Sequence, residues 1–210
     1  MAKRDTYTVR IEGVTRKLPL FAVTPQLRIA LFNLLGDTEI VGAAARGLAK
    51  KLANVEADVL VTAESKSIPL IYHLAIEMHK PWVVLRKDYK PYMGEALNAE
   101  TLSITTGKPQ TLWLDEKDQQ LLRSKRVILV DDVISTGSTL QGMRLLMDKV
   151  SAKIVAEAAV FTEGERAQWG HIIALGHLPL FTGEGKAQRV GTPKARSTKT
   201  AKGRESREKK

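Results

Sequence analysis

The sequence predicts an α/β domain with a mostly parallel, twisted sheet flanked by helices. Two observations carry this prediction. Short runs rich in Val, Ile and Leu alternate along the chain with segments whose apolar residues recur every three or four positions. One of those runs is apolar throughout, as expected for a strand that is buried on both faces. Strands that alternate with helices form right-handed crossover units, which places the strands in parallel with helices on both faces.

Two helical patterns lie in the N-terminal part of the chain. In Glu39–Leu52 the apolar residues recur at spacings of three and four, which gives a helix an apolar stripe towards a core. Gln26–Leu35 is predicted as another helix, and the Gly36-Asp37 break separates the two.

A strand–helix–strand unit follows. Ala57–Ala63 is a short β-branched run that predicts a strand, and Pro69–Met78 has one apolar helical face. Pro81–Leu85 predicts the next strand. Asp88–Lys108 is a long polar stretch that matches neither period. Because such a loop is unusually long for a compact domain, we predict a mobile functional lid here.

The C-terminal half continues the alternation. Thr111–Leu114 predicts a short strand, and Arg126–Val130 predicts the apolar one, in which every residue after Arg126 is apolar. Ser138–Val150 then predicts a helix, and Ile154–Phe161 predicts one more strand.

Composition limits the number of domains and the class of protein. With 210 residues, 43% of them hydrophobic, the chain is long enough for one well-packed domain. Cysteine is absent, which excludes a disulfide framework and fits a reducing cytoplasm. The N-terminus has no export signal, and nowhere do about 18 apolar residues run together, so we expect a soluble protein without a membrane partner.

The positive charge is concentrated at the C-terminus. Residues Lys186–Lys210 hold ten Lys and Arg against two Glu, which is a net +8 of the +10 carried by the whole chain. We therefore predict a domain at residues 1–185 and a basic, disordered tail at residues 186–210. A solubilising tail and a weak binding site for RNA or another polyanion are both compatible with this composition.

Residues Val127–Thr139, VILVDDVISTGST, carry the strongest chemical signal. Asp131 and Asp132 can accept hydrogen bonds from vicinal sugar hydroxyls, and the turn at Ser135–Thr139 offers N–H groups and hydroxyls to a phosphate at a helix N-terminus. Gly137 lets the backbone approach that phosphate closely. Taken separately, the acids could bind a metal in another enzyme class and the turn could be ordinary helix capping.

Together these thirteen residues resemble the phosphoribosyl-pyrophosphate motif of type I phosphoribosyltransferases. The resemblance implies that family's fold, with a small hood over the sheet. It also implies that Asp131 and Asp132 bind the ribose 2′- and 3′-hydroxyls. The 5-phosphate would be bound by Ser135, Thr136, Gly137, Ser138 and Thr139.

A second segment, Glu64-Ser65-Lys66-Ser67, directly follows a predicted strand. It looks like the Glu-Ser-Arg-Gly pyrophosphate loop of adenine phosphoribosyltransferases, although lysine replaces arginine and serine replaces glycine, and a solvated turn is the alternative. Lysine keeps the charge without the bidentate fork. The resemblance implies that these four residues bind pyrophosphate together with Arg86 and Lys87.

Two further segments concern the base and the lid. By resemblance, Leu18–Pro25 would form the hood, with Phe21 stacking on the base, although an apolar aromatic is more often simply part of a core. In the lid, the family carries Leu-Glu-Tyr-Gly where this chain has Ile104-Thr105-Thr106-Gly107. The polar residues that could substitute lie elsewhere on the same stretch: Tyr89, Tyr92, Glu95 and Glu100.

The resemblance as a whole implies a cytoplasmic, homodimeric enzyme of purine salvage. It would transfer the phosphoribosyl group to a purine, most simply adenine, with Asp131, Asp132 and Lys66 closest to the chemistry. Mg²⁺ would arrive with the pyrophosphate rather than in a site built by the protein alone, and the four scattered histidines show no metal-ligand spacing.

The alternative is a non-catalytic regulator that senses phosphoribosyl pyrophosphate and binds nucleic acid. The missing Glu-Tyr pair and the basic tail favour it, whereas the lack of a preceding helix-turn-helix segment and of aromatic residues in the tail speaks against it.

Overall fold

The computed structural model describes residues 5–102, 109–182 and 186–187 of the chain. Its helices are α1 (Thr38–Leu52), α2 (Ile68–Met78), α3 (Glu116–Leu122) and α4 (Ser138–Lys149). Its strands are β1 (Thr6–Ile11), β2 (Val14–Thr24), β3 (Leu27–Ala30), β4 (Val59–Ala63), β5 (Trp82–Leu85), β6 (Leu97–Leu102), β7 (Pro109–Leu114), β8 (Arg126–Ile134), β9 (Lys153–Glu163), β10 (Ile173–Leu178), β11 (Phe181–Thr182) and β12 (Lys186–Ala187). Among the described residues, no helix combines the length and the apolar character that crossing a membrane requires.

A five-stranded parallel sheet in the order β10-β9-β8-β4-β5 forms the centre of the molecule. Its strands alternate between two hydrophobic clusters, because successive side chains of a strand point to opposite faces. Ile128 and Val130 of β8 lie in the cluster that also contains α1 and α2, whereas Val127 and Leu129 lie in the cluster that contains α4. The predicted sheet with helices on both faces is thus confirmed.

The N-terminal strands form a separate antiparallel sheet in the order β1-β2-β3-β11-β12. The prediction of a helix at Gln26–Leu35 is wrong, because β3 occupies Leu27–Ala30 and pairs with β2. Beyond β3 the burial still alternates with period two, since Phe32 and Leu34 are buried while their neighbours are exposed. The apolar spacing of this segment also fits a helix, but pairing across the sheet decides the conformation.

The predicted lid at Asp88–Lys108 contains a strand rather than a continuous loop. Within it, Leu97–Leu102 forms β6, which pairs with β7 as an antiparallel hairpin. This hairpin packs on α4, where a Cβ added at Gly142 would lie 3.0 Å from Leu112 Cδ1. In addition, Lys149 Nζ donates to Asn98 O at 2.7 Å. The stretch Ile104–Gly107 lies outside the described residues.

Two predicted boundaries also change. Strand β8 does not end at Val130 but continues to Ile134, because Asp131, Val133 and Ile134 still pair with β9. At the C-terminus, Lys186–Ala187 pairs with β11, so the antiparallel sheet extends two residues into the segment predicted to be a disordered tail. The remainder of that segment, residues 188–210, lies outside the described part of the chain.

Candidate functional site

The two acids of the motif lie at the carboxyl end of β8, where that strand loses one neighbour. Pairing between β4 and β8 ends at Val130, whereas pairing with β9 continues past Asp131. The turn that leads from β4 into α2 lies on the vacated side and brings Ser67 against the acids. Open α/β sheets bind ligands beyond the carboxyl ends of their strands, which is where these acids lie.

Burial and mutual repulsion control the charge of the acid pair. Asp131 and Asp132 are 8% and 9% exposed. Loss of solvent raises the pKa of Asp131 above its usual range, and the neighbouring Asp132 carboxylate raises it further. A hydrogen bond from Ser67 Oγ to Asp131 Oδ1, 2.8 Å long, acts in the opposite direction. The pair therefore ionises less readily than two exposed carboxyls would.

The turn Ser135–Thr139 directly follows β8 and lines a small cavity of about 40 Å³. Gly137 has φ +77° and ψ 4°, and a Cβ at this position would lie 2.9 Å from the ring of Trp169. The turn therefore requires glycine both for its backbone conformation and for space. Thr136 Oγ1 and Ser138 Oγ lie 3.1 Å apart in a hydrogen bond. The turn leads into α4, and the first N–H groups of a helix have no partner within that helix.

The segment Glu64–Ser67 is split between two roles. Ser65 and Lys66 are exposed, which suits contact with a ligand, and the peptide bond between Glu64 and Ser65 is cis. Ser67 was predicted to bind pyrophosphate, but it is only 2% exposed and its hydroxyl donates to Asp131 instead of facing solvent.

Glu64 also points away from its predicted role as a ligand of pyrophosphate. Its carboxylate accepts from Arg86 Nε and from Lys87 N, each at 2.6 Å. The ion pair raises the pKa of Arg86 above its ordinary value. Glu64 therefore holds the β4 turn against the end of β5, and the cations predicted at the pyrophosphate, Lys66, Arg86 and Lys87, follow these two neighbouring strands.

The predicted base contact and lid residues lie on other elements. Phe21 is on β2, in the antiparallel sheet, and is 55% exposed, so it is not a core residue. Tyr92 is highly exposed and, after Glu64, contributes to the raised pKa of Arg86. Glu95 and Tyr92 line a larger cavity of about 520 Å³ beside α3, away from the turn that follows β8.

Two contacts of the motif were not foreseen from the sequence. Trp169, in a short 3-10 helix after β9, covers Gly137 and donates from Nε1 to Glu163 O at 2.8 Å. Thr101 of β6 is buried and donates to Ser138 O at 3.3 Å, which joins the hairpin to the start of α4. No local pattern indicates either contact, because both partners are distant in sequence and meet only in the fold.

Comparison with known proteins places this chain among phosphoribosyl-transferring proteins and their relatives. A family model described as a phosphoribosyl transferase domain matches residues 34–172. The purine biosynthesis transcriptional repressor PurR of Bacillus subtilis is 29% identical over 143 residues, which cover 68% of this chain and 49% of the repressor. A hypoxanthine/guanine phosphoribosyltransferase of Methanobacterium lacus is 31% identical over 131 residues, covering 62% of this chain and 65% of the enzyme. The chain thus spans about half the length of the regulators that it matches.

Solved structures agree on the fold. Adenine phosphoribosyltransferase from Thermoanaerobacter pseudethanolicus superposes with a TM-score of 0.59 at 21% identity, covering 82% of this chain and 95% of that one. The adenine phosphoribosyltransferase of Giardia lamblia, solved with 9-deazaadenine, also gives 0.59, at 18% identity, and covers 82% and 93% of the two chains.

Proposed function

Because this chain belongs to the phosphoribosyltransferase family, we propose that it is a purine phosphoribosyltransferase of nucleotide salvage. In the proposed reaction a purine ring nitrogen forms a bond to the anomeric carbon of 5-phosphoribosyl-1-pyrophosphate. The bond from that carbon to the pyrophosphate oxygen breaks, and the proton of the purine ring nitrogen passes to solvent or to the departing pyrophosphate, which gives a nucleoside monophosphate and pyrophosphate. The observation that carries the proposal is the position of the Asp131-Asp132 pair near the carboxyl end of β8. The turn that contains Gly137 and the start of α4 follow within a few residues.

The proposed ribose 5-phosphate site combines these two features. Asp131 and Asp132 accept hydrogen bonds from the ribose 2′- and 3′-hydroxyls. The backbone of Ser135–Thr139 and the first turn of α4 bind the 5-phosphate, where free N–H groups and the helix dipole favour an anion. The diol and the phosphate lie at opposite ends of one pentose, which matches the short separation of the two features along the chain.

The proposed pyrophosphate site uses the exposed cations. Lys66 lies on the turn after β4, and Arg86 is fixed beside it by Glu64. Positive charge held there favours the charge that develops on the leaving pyrophosphate. Mg²⁺ prefers phosphate oxygens and water as ligands, so the ion would be bound by pyrophosphate oxygens and water rather than in a site built by the protein alone. When bound, Mg²⁺ would supply further neutralisation of the pyrophosphate charge.

Adenine is the base that we propose first. The support is the likeness of Glu64-Ser65-Lys66-Ser67 to the loop of adenine phosphoribosyltransferases. The related hypoxanthine/guanine enzymes make 6-oxopurines the competing choice. Phe21 stays our candidate for stacking on the base, since the residue is 55% exposed and can contact a ligand.

To test the proposed reaction, the full chain is incubated with Mg²⁺, phosphoribosyl pyrophosphate and one base at a time: adenine, hypoxanthine, guanine, xanthine or orotate. Nucleotide and pyrophosphate are measured together. We expect equal amounts of both products with adenine, and smaller amounts with the other bases. Turnover confined to a 6-oxopurine would overturn adenine but keep the transferase, and no turnover with any base would overturn the transferase.

A second candidate function is a phosphoribosyl-pyrophosphate-sensing regulator that binds nucleic acid. The similarity to the purine regulators favours it specifically. It predicts saturable binding of phosphoribosyl pyrophosphate without turnover, together with retarded mobility of RNA or DNA. Loss of that retardation when residues 188–210 are removed would place the nucleic-acid contact in the basic tail.

A further inference from the structure

The side chain of Ser67 forms a closed hydrogen-bond network with the acid pair. Its hydroxyl donates to Asp131 Oδ1 at 2.8 Å and accepts from Asp132 N at 3.2 Å. Asp132 N also donates to the same Asp131 oxygen at 2.8 Å. Two donors therefore fix one carboxylate oxygen in a buried environment: Asp132 N belongs to β8, and the Ser67 hydroxyl comes from the turn before α2.

Neither helix capping nor backbone strain explains this serine. Ser67 precedes α2, but its side chain makes no capping hydrogen bond there. Its φ of −82° and ψ of −7° lie in the ordinary right-handed region, which any residue adopts. The position therefore does not require glycine, and serine adds a donor that glycine would not provide.

We infer that Ser67 is a positioning residue, which holds the Asp131 carboxylate in the orientation and charge state needed to accept a hydrogen bond from a ribose hydroxyl. The link to ribose rests on the proposed function. The effect of Ser67 on Asp131 itself does not depend on it.

The physical reason is the competition that acts on the Asp131 carboxyl. Burial and the Asp132 carboxylate both disfavour its charged form, whereas a hydroxyl that donates to it favours the charged form. Among the described residues, Asp132 is the charged side chain that shifts the pKa of Asp131, and Ser67 is the group that acts from the neighbouring turn. A ribose hydroxyl is a donor, and an ionised carboxylate accepts its hydrogen bond more strongly than a protonated carboxyl does.

The first test measures Asp131 directly and needs no ligand. The carboxyl ¹³C resonance of Asp131 is titrated by NMR in the wild-type chain, in Ser67→Ala and in Ser67→Gly. We expect the pKa of Asp131 to be about one unit higher in both variants than in the wild type, because each loses the donor. An unchanged titration in both would overturn the inference.

A matched control removes another buried hydroxyl, which lies on β4, the strand that precedes the Ser67 turn. Thr62 Oγ1 donates its hydrogen bond to Val130 O at 2.6 Å, across β4 and β8, and not to Asp131. Thr62→Val is expected to leave the Asp131 titration unchanged. A shift equal to that of Ser67→Ala would show a general loosening of the strand pair and would also overturn the inference.

The second test measures binding of phosphoribosyl pyrophosphate with Mg²⁺ in a double-mutant cycle. Ser67→Ala should weaken affinity about tenfold near pH 7 in the wild-type background. It should have no further effect in an Asp131→Asn background, since the hydroxyl acts through that carboxylate. Equal losses in both backgrounds would overturn the positioning role. If the wild type binds no phosphoribosyl pyrophosphate, the proposed function fails, and the NMR titration still decides the role of Ser67.

Discussion

At the scale of single residues, both the backbone conformation and the surroundings of Gly137 disfavour a side chain. Its φ of +77° disfavours any side chain, and a Cβ would lie 2.9 Å from the Trp169 ring. We expect Gly137→Ala to lower the free energy of unfolding by about 2 kcal/mol. It should also weaken binding of phosphoribosyl pyrophosphate. Urea unfolding and calorimetric titration measure the two effects.

Gly170→Ala is the matched control for this substitution. Gly170 has φ −60°, and its Cβ would meet nothing closer than the Ala167 carbonyl oxygen at 4.0 Å. We expect no loss of stability from Gly170→Ala. Equal losses from the two variants would contradict the account of the turn.

Glu163 gives a prediction about pH. Burial at the end of β9 raises its pKa to about 6, above the value that it has in the unfolded chain. Its folded state therefore loses stability as the pH rises through about 6, where a buried carboxyl must ionise. We expect Glu163→Gln to raise the free energy of unfolding, relative to wild type, by about 1 to 2 kcal/mol more at pH 8 than at pH 5.

Urea unfolding at the two pH values measures this difference, with Glu165→Gln as the control. Glu165 is exposed and only two positions away. Its substitution should change stability equally at both pH values. A pH-independent effect of Glu163→Gln would contradict the assignment.

Residue identities at the site were partly predictable. Asp131, Asp132 and Gly137 follow from the local motif, because acids at a strand end and a glycine turn are contiguous in sequence. The orientation of Ser67 was not predictable, since it depends on where β4 stops pairing with β8. The cover that Trp169 places on Gly137 likewise requires the end of β9 to return to the turn after β8.

At the scale of elements, the pair of Glu64 and Arg86 ties the turn after β4 to the end of β5. We expect Glu64→Gln to lower the free energy of unfolding by about 1 kcal/mol, because solvent partly screens the half-exposed Arg86. The control is Asp5→Asn, which breaks a more exposed pair with Arg28. That variant should change stability by less than about 0.5 kcal/mol. Equal effects in urea unfolding would contradict the anchoring role.

Helices were predicted better than short strands. The helices α1, α2 and α4 each present an apolar face to a core, and that periodicity is visible in the sequence. Strand β6 was missed because its inward-facing positions include the small Ala99 and the polar Thr101, which leave no clear alternation. Strand β3 was missed because four residues carry too little pattern to compete with a helical interpretation.

At the scale of the whole molecule, the antiparallel and parallel sheets share one of the two hydrophobic clusters. Phe32 after β3 packs edge to face on Phe161 of β9 with ring centroids 4.9 Å apart. The sequence of residues 188–210 contains almost no large apolar residue. We expect a chain that ends at Ala187 to keep the wild-type unfolding midpoint and affinity for phosphoribosyl pyrophosphate. A lower midpoint in thermal unfolding would show that residues 188–210 contribute to the fold.

We propose above all that the acid pair, near the carboxyl end of the central strand β8, binds a phosphorylated ribose. The most direct measurement is calorimetric titration of phosphoribosyl pyrophosphate with Mg²⁺ into the wild type and into the double variant Asp131→Asn with Asp132→Asn. Circular dichroism and urea unfolding verify that both chains are folded. We predict saturable binding by the wild type and none by the folded double variant. Equal affinity of the two folded chains would contradict the claim.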